Sequence, residues 1–546
     1  MNRPAKFMLS IRHWRVFGVA LSLLLASQIP AGADSAKPQM AGKWARFEHS
    51  FHSAANYANP LTDIRLDVVF TSPLGDTYRV NGFWNGGLTW QVRFSPDMPG
   101  KWRYRTICSD TTDDGLNNVM GEFLCIAPTA QSDFDRHGPV QMSRFNRRLE
   151  HDDLTPFFWL ADTSWNGALA SKPAEWAAYA KARAADKFTA VQWAAPPVDQ
   201  NLDIDAEAFR KLDAKVEAMN HEGILDAIVP LAEIPLGKNL VVDDLPEDKA
   251  IIWLRYLVAR WGADDVVWIM TCDSTKIERT KRIGRAVFGA ISHAPVILYA
   301  GDSYFALNAF RSEPWVNIIG YQTGEDLSDD ALEWSLAGPV TQDWEKQPTR
   351  PFVNLVPAYE GAVVKTGNFT HPPISAQTVR RAAYWNALNT LSIGVSYGAQ
   401  GIWHWENDTN SPGASHNRKN PTVNEEDFFT DGAHQMGILA NFFNSIDFTR
   451  LLPSPDLIIN QPGATDPGHY IAAARSVTGD LAVIYIPEGG KAQINLNGIA
   501  PDATATWIDP RSGARFPATI TKRGQVGELS TPTADDWIVL INTAGK

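Results

Sequence analysis

The sequence predicts a multidomain protein, a (β/α)8 TIM barrel flanked by N-terminal and C-terminal β-sandwich domains. Three observations carry this. Between about residues 138 and 452, apolar runs of strand length alternate eight times with stretches of helical periodicity. Over residues 37–130 and 453–546 the helical pattern gives way to short period-two runs split by Gly, Pro and Asn turns. At 546 residues the chain is also longer than one core ordinarily supports.

Residues 1–33 read as an export signal that is removed. Arg3, Lys6, Arg12 and Arg15 form a basic start, Val16 to Ala26 is a short apolar run, and Ala31-Gly32-Ala33 has the form of a cleavage site. The run is short for a bilayer span, and no other long apolar segment follows. A periplasmic or extracellular protein is therefore expected, without a membrane span after cleavage. Loss of those basic residues takes the net charge from −12 to −16. So acidic a surface argues against nucleic acid and anionic membrane as partners.

The N-terminal sandwich is expected from ARFEHSFHS, IRLDVVFTSP, TYRVNGFW, TWQVRFSP, KWRYRTICSD and GEFLCIAP. Cys108 and Cys125 end two of these strands. In an oxidising compartment a disulfide between them is open, alongside two separate thiols.

The barrel strands follow in order: Pro156 to Asp162, Phe188 to Trp193, Ile224 to Pro230, Val266 to Asp273, Val296 to Tyr299, Asn317 to Gln322, Phe352 to Val356 and Gly401 to His404. Each is an apolar run of the kind that is buried on both faces in a parallel sheet. The intervening helices show apolar residues at three- and four-residue steps. Phe209, Leu212, Val216 and Met219 between Ala206 and Glu222, closed by Gly223, are one example. The C-terminal sandwich is expected from GHYIAAARS, DLAVIYIPE, KAQINLNG, ATATWIDPRSG and DWIVLIN.

In this fold the reacting groups stand at the C-terminal ends of the strands. The polar and aromatic residues there are Asp162, Thr163, Trp165 and Asn166 after the first strand, Gln192 and Trp193 on the second, and Glu233 after the third. Asp273, Asp302, Gln322 and Glu325 follow the fourth to sixth, Tyr359 and Glu360 the seventh, and His404, Trp405 and Glu406 the eighth. Acids, amides and indoles with almost no Lys or Arg suit a sugar. A phosphate or nucleotide site would want cations or a Gly-rich loop. Of the 20 Trp, 13 lie between Trp159 and Trp405, and indoles both cover sugar C–H faces and bond hydroxyls. No Cys or His spacing suits zinc, so neither a metal nor another cofactor is expected.

Several of these segments resemble the apiosidase-like glycoside hydrolases. WLADTSW (Trp159 to Trp165) is similar to the family's opening strand, VVWIMTCD (Val266 to Asp273) to its fourth, YQTGE (Tyr321 to Glu325) to its sixth and PAYE (Pro357 to Glu360) to its seventh. RRAAYWNAL and YGAQGIWHW resemble its late helix and last strand. The first sandwich resembles the domain that often precedes this barrel. The last resembles a module labelled collagen-binding, although nothing in its acidic sequence reads collagen. The resemblance implies hydrolysis of a plant pectic side-chain sugar, with apiose the nearest guess, by a catalytic pair carried over as Asp273 and Glu360. The chain departs from the pattern at Thr271-Cys272, which replaces a small Gly pair, at Val356-Pro357-Ala358, which replaces a Gly-Glu-Pro-like run, and at Glu325, which replaces a His.

Two carboxylates from different strands are what glycosidic cleavage needs, one protonated and one ionised. Asp273 is assigned as acid/base and Glu360 as nucleophile, a retaining arrangement, with Glu325 and Glu406 in reserve. Sugar-binding roles are expected for Asp162, Trp165, Asn166, Gln192, Trp193, Gln322, Glu325, Tyr359, His404 and Trp405. Asp273 or Glu360 read instead as a helix cap, and Asp162 as part of a turn with Thr163, are the structural alternatives. The functional alternative is a non-catalytic carbohydrate- or matrix-binding protein on an inactive barrel.

Overall fold

The computed structural model describes residues 39–543 apart from 129–131, 232–244, 273, 290, 292, 301–306, 367–368, 406–422 and 424. The expected export signal and Glu233, Asp273, Asp302 and Glu406 lie outside the described residues.

The centre is an eight-stranded parallel sheet. Its strands are β1 (Trp159–Thr163), β2 (Ala190–Ala194), β3 (Leu225–Val229), β4 (Val266–Cys272), β5 (Val296–Ala300), β6 (Ile318–Gln322), β7 (Phe352–Val356) and β8 (Gly394–Tyr397). They are ordered β7-β6-β5-β4-β3-β2-β1-β8. The ring closes between β7 and β8, where Phe352 bridges Ser392, with Phe352 N–H donating to Leu391 C=O at 2.8 Å. It closes again at the top, where Glu360 bridges Ala399. There Glu360 N–H donates to Gly398 C=O at 2.9 Å and Gln400 N–H to Glu360 C=O at 2.8 Å.

The helices that cover the ring include α1 (Pro173–Ala185), α2 (Ala206–His221), α3 (Glu247–Trp261), α4 (Ile277–Phe288), α5 (Asp329–Ala337), α6 (Ala376–Asn389) and α7 (Asp431–Asn444). α5 stops at Ala337, because Pro339 cannot continue it and restarts a short helix, Pro339–Gln342.

Strand alternation sorts side chains into two cores. Trp159, Ala161, Ala227, Ile269, Ile297 and Leu355 belong to the cluster filling the barrel. Leu160, Val191, Ile228, Trp268 and Leu298 pack outward against the helices. A small antiparallel sheet of Val140–Met142, Leu149–His151 and Pro156–Phe157 adds Val140, Leu149 and Phe157 to the inner cluster, Phe134 joins them from the short helix Asp133–His137, and together they close its floor. Pro156 and Phe157 thus belong to this floor, and the first barrel strand begins only at Trp159.

The last strand also lies elsewhere than expected. β8 is Gly394–Tyr397, whereas Gly401 to Trp405 is a turn in which Ile402 and Trp403 N–H both donate to Ala399 C=O. Gly394 sits at φ +143°, where a Cβ would collide with the Trp159 backbone, so this strand start requires glycine.

The N-terminal sandwich joins a five-stranded to a three-stranded sheet over a core of Phe47, Phe70, Trp102 and Phe123, among others. No disulfide forms there. Strand Gly100–Cys108 pairs Gly100 with Cys125 at one end and Cys108 with Leu66 at the other. Eight residues of strand separate the two sulfurs by roughly 27 Å, far beyond the ~7 Å limit for Cα atoms of a bridge. Both are free, buried thiols, and burial pushes Cys125 up to about 11.

Both sandwiches are seated on barrel helices by buried charge. Arg93 of the first donates to Asp213 of α2 at 2.7 Å, and Asp213 also accepts from Arg260 of α3 at 2.7 Å. The second sandwich joins a six-stranded to a three-stranded sheet and places Asp536 against Arg380 of α6, with bonds of 2.6 and 2.8 Å. Tyr384 of α6 stacks on Tyr485 with centroids 4.6 Å apart.

Candidate active site

The open end of the barrel is formed where the strands finish, and alternation decides which side chains reach it. On β2, Ala190 and Ala194 face the lumen, and Gln192 between them shares that face. Gln192 Nε2 donates to Thr163 Oγ1 at 2.8 Å and to Leu355 C=O at 3.0 Å, so the amide spans from β1 to β7. Trp193, one residue on, points out. Its indole donates to Asp226 at 2.6 Å and meets Trp261 edge-on.

The same parity turns Asp162 away from the rim. It is fully buried and accepts from Tyr179 Oη at 2.7 Å, from Thr163 N–H at 2.8 Å and from the Arg183 guanidinium of α1. Asp162 thus anchors α1 to β1, and Thr163 takes the inward place. Asn166 is structural too: Oδ1 accepts from Trp405 N–H at 2.6 Å and Nδ2 donates to Trp405 C=O at 3.2 Å, joining the loops after β1 and β8. The Trp405 ring is buried among Trp176, Tyr179 and Phe428 in the outer wall. His404 is buried with its ring 5.6 Å from that of Trp403.

Five residues do gather at the mouth. Tyr359 lays its ring on Gly398, where a Cβ would overlap it, and packs 5.8 Å from Trp403. Its buried hydroxyl approaches Thr163 and Trp165 and makes no hydrogen bond of ordinary geometry among the described residues. Burial, reinforced by Tyr299 and Glu325 nearby, raises the pKa of this hydroxyl. Trp165 packs on the lumen cluster, and Tyr299 Oη donates to Gln322 Oε1. Glu325 is half-buried on the loop after β6, and its carboxyl is raised by burial.

Glu360 sits one residue past Tyr359 and points the opposite way. Its Oε2 accepts from Tyr397 Oη at 2.5 Å, and its two oxygens lie 3.0 and 3.1 Å from the N–H of Gly432, in the first turn of α7. Tyr397 is an outward residue of β8, with its hydroxyl also 2.7 Å from Thr430, the N-cap of α7. The Glu360 carboxylate is therefore taken up on the helix side of the wall, at the positive end of α7.

The structure thus brings Trp165, Gln192, Gln322, Glu325 and Tyr359 to one place, and turns Asp162, Trp193, Trp405 and Glu360 outward. Tyr299 and Trp403 join the mouth without having been expected. Tyr299 was legible, because it alternates with inward Ile297 along β5. Trp403 was hidden by the misplaced eighth strand. Among the described residues no group of three His, Cys, Asp or Glu could hold a metal ion. No helix among them is long and apolar enough to cross a membrane. A separate cleft of about 310 Å3 lies between the N-terminal sandwich and α3, lined by Arg65, Trp84, Trp90 and Tyr256 among others.

A parallel (β/α)8 barrel with sheet-rich domains on both flanks and a mouth of amide, phenol, indole and carboxyl groups defines a glycoside hydrolase. Residues 143–450 match the family described as apiosidase-like, catalytic domain, and the chain belongs to that family. Residues 40–109 match DUF5060, a domain of unknown function, and residues 452–542 match a family described as a collagen-binding domain of a collagenase. No curated protein sequence matches the chain.

Among solved structures, a glycoside hydrolase is similar at 17% identity and TM-score 0.63 over 75% of this chain and 98% of its own. A family 5 glycoside hydrolase from Bacteroides vulgatus is similar at 19% and 0.64 over 75% and 95%. A further Bacteroides vulgatus protein, named as a candidate glycoside hydrolase, is similar at 16% and 0.64 over 92% and 99%. Likeness at such identities speaks for the fold.

Proposed function

We propose that this glycoside hydrolase is exported and cleaves a glycosidic bond in a plant pectic polysaccharide or oligosaccharide, with an apiose-like sugar the nearest candidate. Asp273 is the first carboxylate of a two-carboxylate mechanism. In the sequence it directly follows Cys272, the last residue of β4. The observation that carries the reading is the mouth itself. Gln192, Gln322, Tyr299, Tyr359 and Trp165 offer neutral hydrogen bonds and aromatic faces to hydroxyls, beside a carboxyl, Glu325, that burial biases toward its protonated form. Retention of anomeric configuration is the expected outcome.

The test is incubation of the full chain with aryl glycosides and pectin fragments, with product analysis. A released reducing sugar, lost in Asp273→Ala, supports the reading. Absence of release across the panel sinks it. Capture of Glu360 in the wall favours a second reading, sugar binding without turnover, and retention of pectin fragments with no released product would establish that one.

A further inference from the structure

We propose that the cleft between the N-terminal sandwich and α3 is a carbohydrate site separate from the mouth, and that Arg65 and Arg255 there hold the carboxylate of a uronate residue in an acidic oligosaccharide. The cleft, of about 310 Å3, has the size of a small-ligand site. Its barrel wall is the face of α3 that carries Ile252, Arg255 and Tyr256 at three- and four-residue steps.

Arg255 is a half-buried guanidinium with no carboxylate partner among the described residues. One of its nitrogens, Nη2, donates to Ala286 C=O of α4 at 2.9 Å. Burial and then the like charge of Arg65 lower its pKa, with Asp67 acting the other way. Asp67 is itself taken up by other groups, since it accepts from Arg65, Arg79 and Asn81. Arg65 is exposed at the edge of the cleft. Asp63 also lines the cleft, but its oxygens accept from Asn59 N–H at 3.0 Å and Thr62 Oγ1 at 3.1 Å. In a chain of net charge −12, this cleft therefore favours an anion. A guanidinium with donors to spare suits a planar carboxylate.

The other walls suit a sugar ring. Phe83, Trp84, Trp90 and Tyr256 supply aromatic surface, and Asn81 and Ser109 supply neutral polar groups. Trp84 N–H is taken by Gly87 C=O at 2.8 Å, whereas Trp90 N–H has no partner among the described residues and is left for a hydroxyl. A bare phosphate would have no use for the aromatic walls. The same Leu61, Trp84 and Trp90 line a second cleft of about 330 Å3, whose far side is Leu202, Asp203 and Ile204. That segment follows the C-terminal end of β2, on the side where the mouth opens. An oligosaccharide lying through both clefts thus runs from the barrel's flank toward the rim.

The experiment is isothermal titration calorimetry of the full-length protein with trigalacturonate, with its methyl ester and with inorganic phosphate. Trigalacturonate is expected to bind, and the uncharged ester to bind about tenfold more weakly, as loss of hydrogen bonds between charged groups requires. Arg65→Gln and Arg255→Gln are each expected to weaken trigalacturonate by a similar factor while leaving the ester's affinity unchanged. Equal affinity for acid and ester overturns the site, and this comparison needs no variant. Wild-type affinity for trigalacturonate in both variants overturns it too. Phosphate bound as tightly as trigalacturonate overturns the sugar assignment in favour of an inorganic anion. The readout is binding, so it stands apart from the hydrolytic reading of the mouth. A protein that binds trigalacturonate through these arginines and cleaves nothing upholds this site and sinks that reading. One that cleaves aryl glycosides and binds no trigalacturonate does the reverse.

Discussion

Tyr397 Oη donates to the Glu360 carboxylate at 2.5 Å, and through Glu360 the last strand of the barrel is tied to the first turn of α7. The hydroxyl is buried, and burial together with the carboxylate raises its pKa well above the ordinary tyrosine value, so it stays a donor throughout the accessible range. Tyr397→Phe removes the donor and leaves a half-buried carboxylate with one partner fewer. The expected loss is about 1–3 kcal/mol of unfolding free energy, read from urea denaturation. An unchanged midpoint would mean that the pair contributes nothing to stability.

Gly432 tests the same junction from the other side. A Cβ there would fall within the Glu360 carboxylate, so Gly432→Ala must push the acid or the helix away. We expect it to destabilise by about 1–3 kcal/mol, the usual cost of overpacking. This outweighs the gain of roughly 0.5–1 kcal/mol that alanine brings to an ordinary helical position. Stabilisation by this substitution would show that the contact yields freely.

Asp162 answers a different question, whether an acid in the opening WLADTSW segment serves sugar or scaffold. Asp162→Ala leaves the fully buried Arg183 without its carboxylate. The expected destabilisation is about 3–5 kcal/mol, with the loss of activity tracking the loss of folded protein. A stable Asp162→Ala with a raised KM would restore it to sugar binding.

The pH dependence of Glu325 has a definite sign. Burial raises its folded-state pKa above the unfolded one, so the folded state binds the proton more tightly. That contribution to stability is complete below the ordinary glutamate pKa and is lost as pH climbs through the raised value. Unfolding free energy should fall over that interval in the wild type and lose this dependence in Glu325→Gln, read from urea denaturation across pH. A fall of equal size in the variant would belong to another group.

Cys108 ends the strand Gly100–Cys108 and Cys125, on the neighbouring strand, pairs with Gly100 at its other end, both as thiols. Reductant should therefore leave the melting temperature unchanged. Both should react with Ellman's reagent in denaturant and resist it in the native protein, where burial raises each thiol pKa. A fall in melting temperature on reduction would require a bridge and a different strand register.

The barrel and its flanks were legible because hydrophobic period reports burial, and burial on two faces is the mark of a parallel strand. VVWIMTC and FVNLV carry that mark without ambiguity. β8 escaped because Gly394-Val395-Ser396-Tyr397 alternates small and large residues around a narrow seam, whereas Gly401-Ile402-Trp403-His404 mimics a strand and is a turn. At the site, residue type was legible and direction was not. Tyr359 and Glu360 are adjacent and both polar, yet the backbone sends one to the lumen and the other to α7. Of the three departures from the family pattern, two bring in Val356 and Glu325. In the fold they are neighbours, joined by the bonds of Thr323 and Gly324 to the Val356 carbonyl.

Arg380 and Asp536, both buried, with Tyr384 stacked on Tyr485 beside them, seat the C-terminal sandwich directly on a barrel helix. A module hung on a flexible linker sweeps a volume and raises local concentration by searching it. One seated through such a pair has no volume to sweep. The face that the sandwich presents is thereby held at one distance and one angle from the barrel.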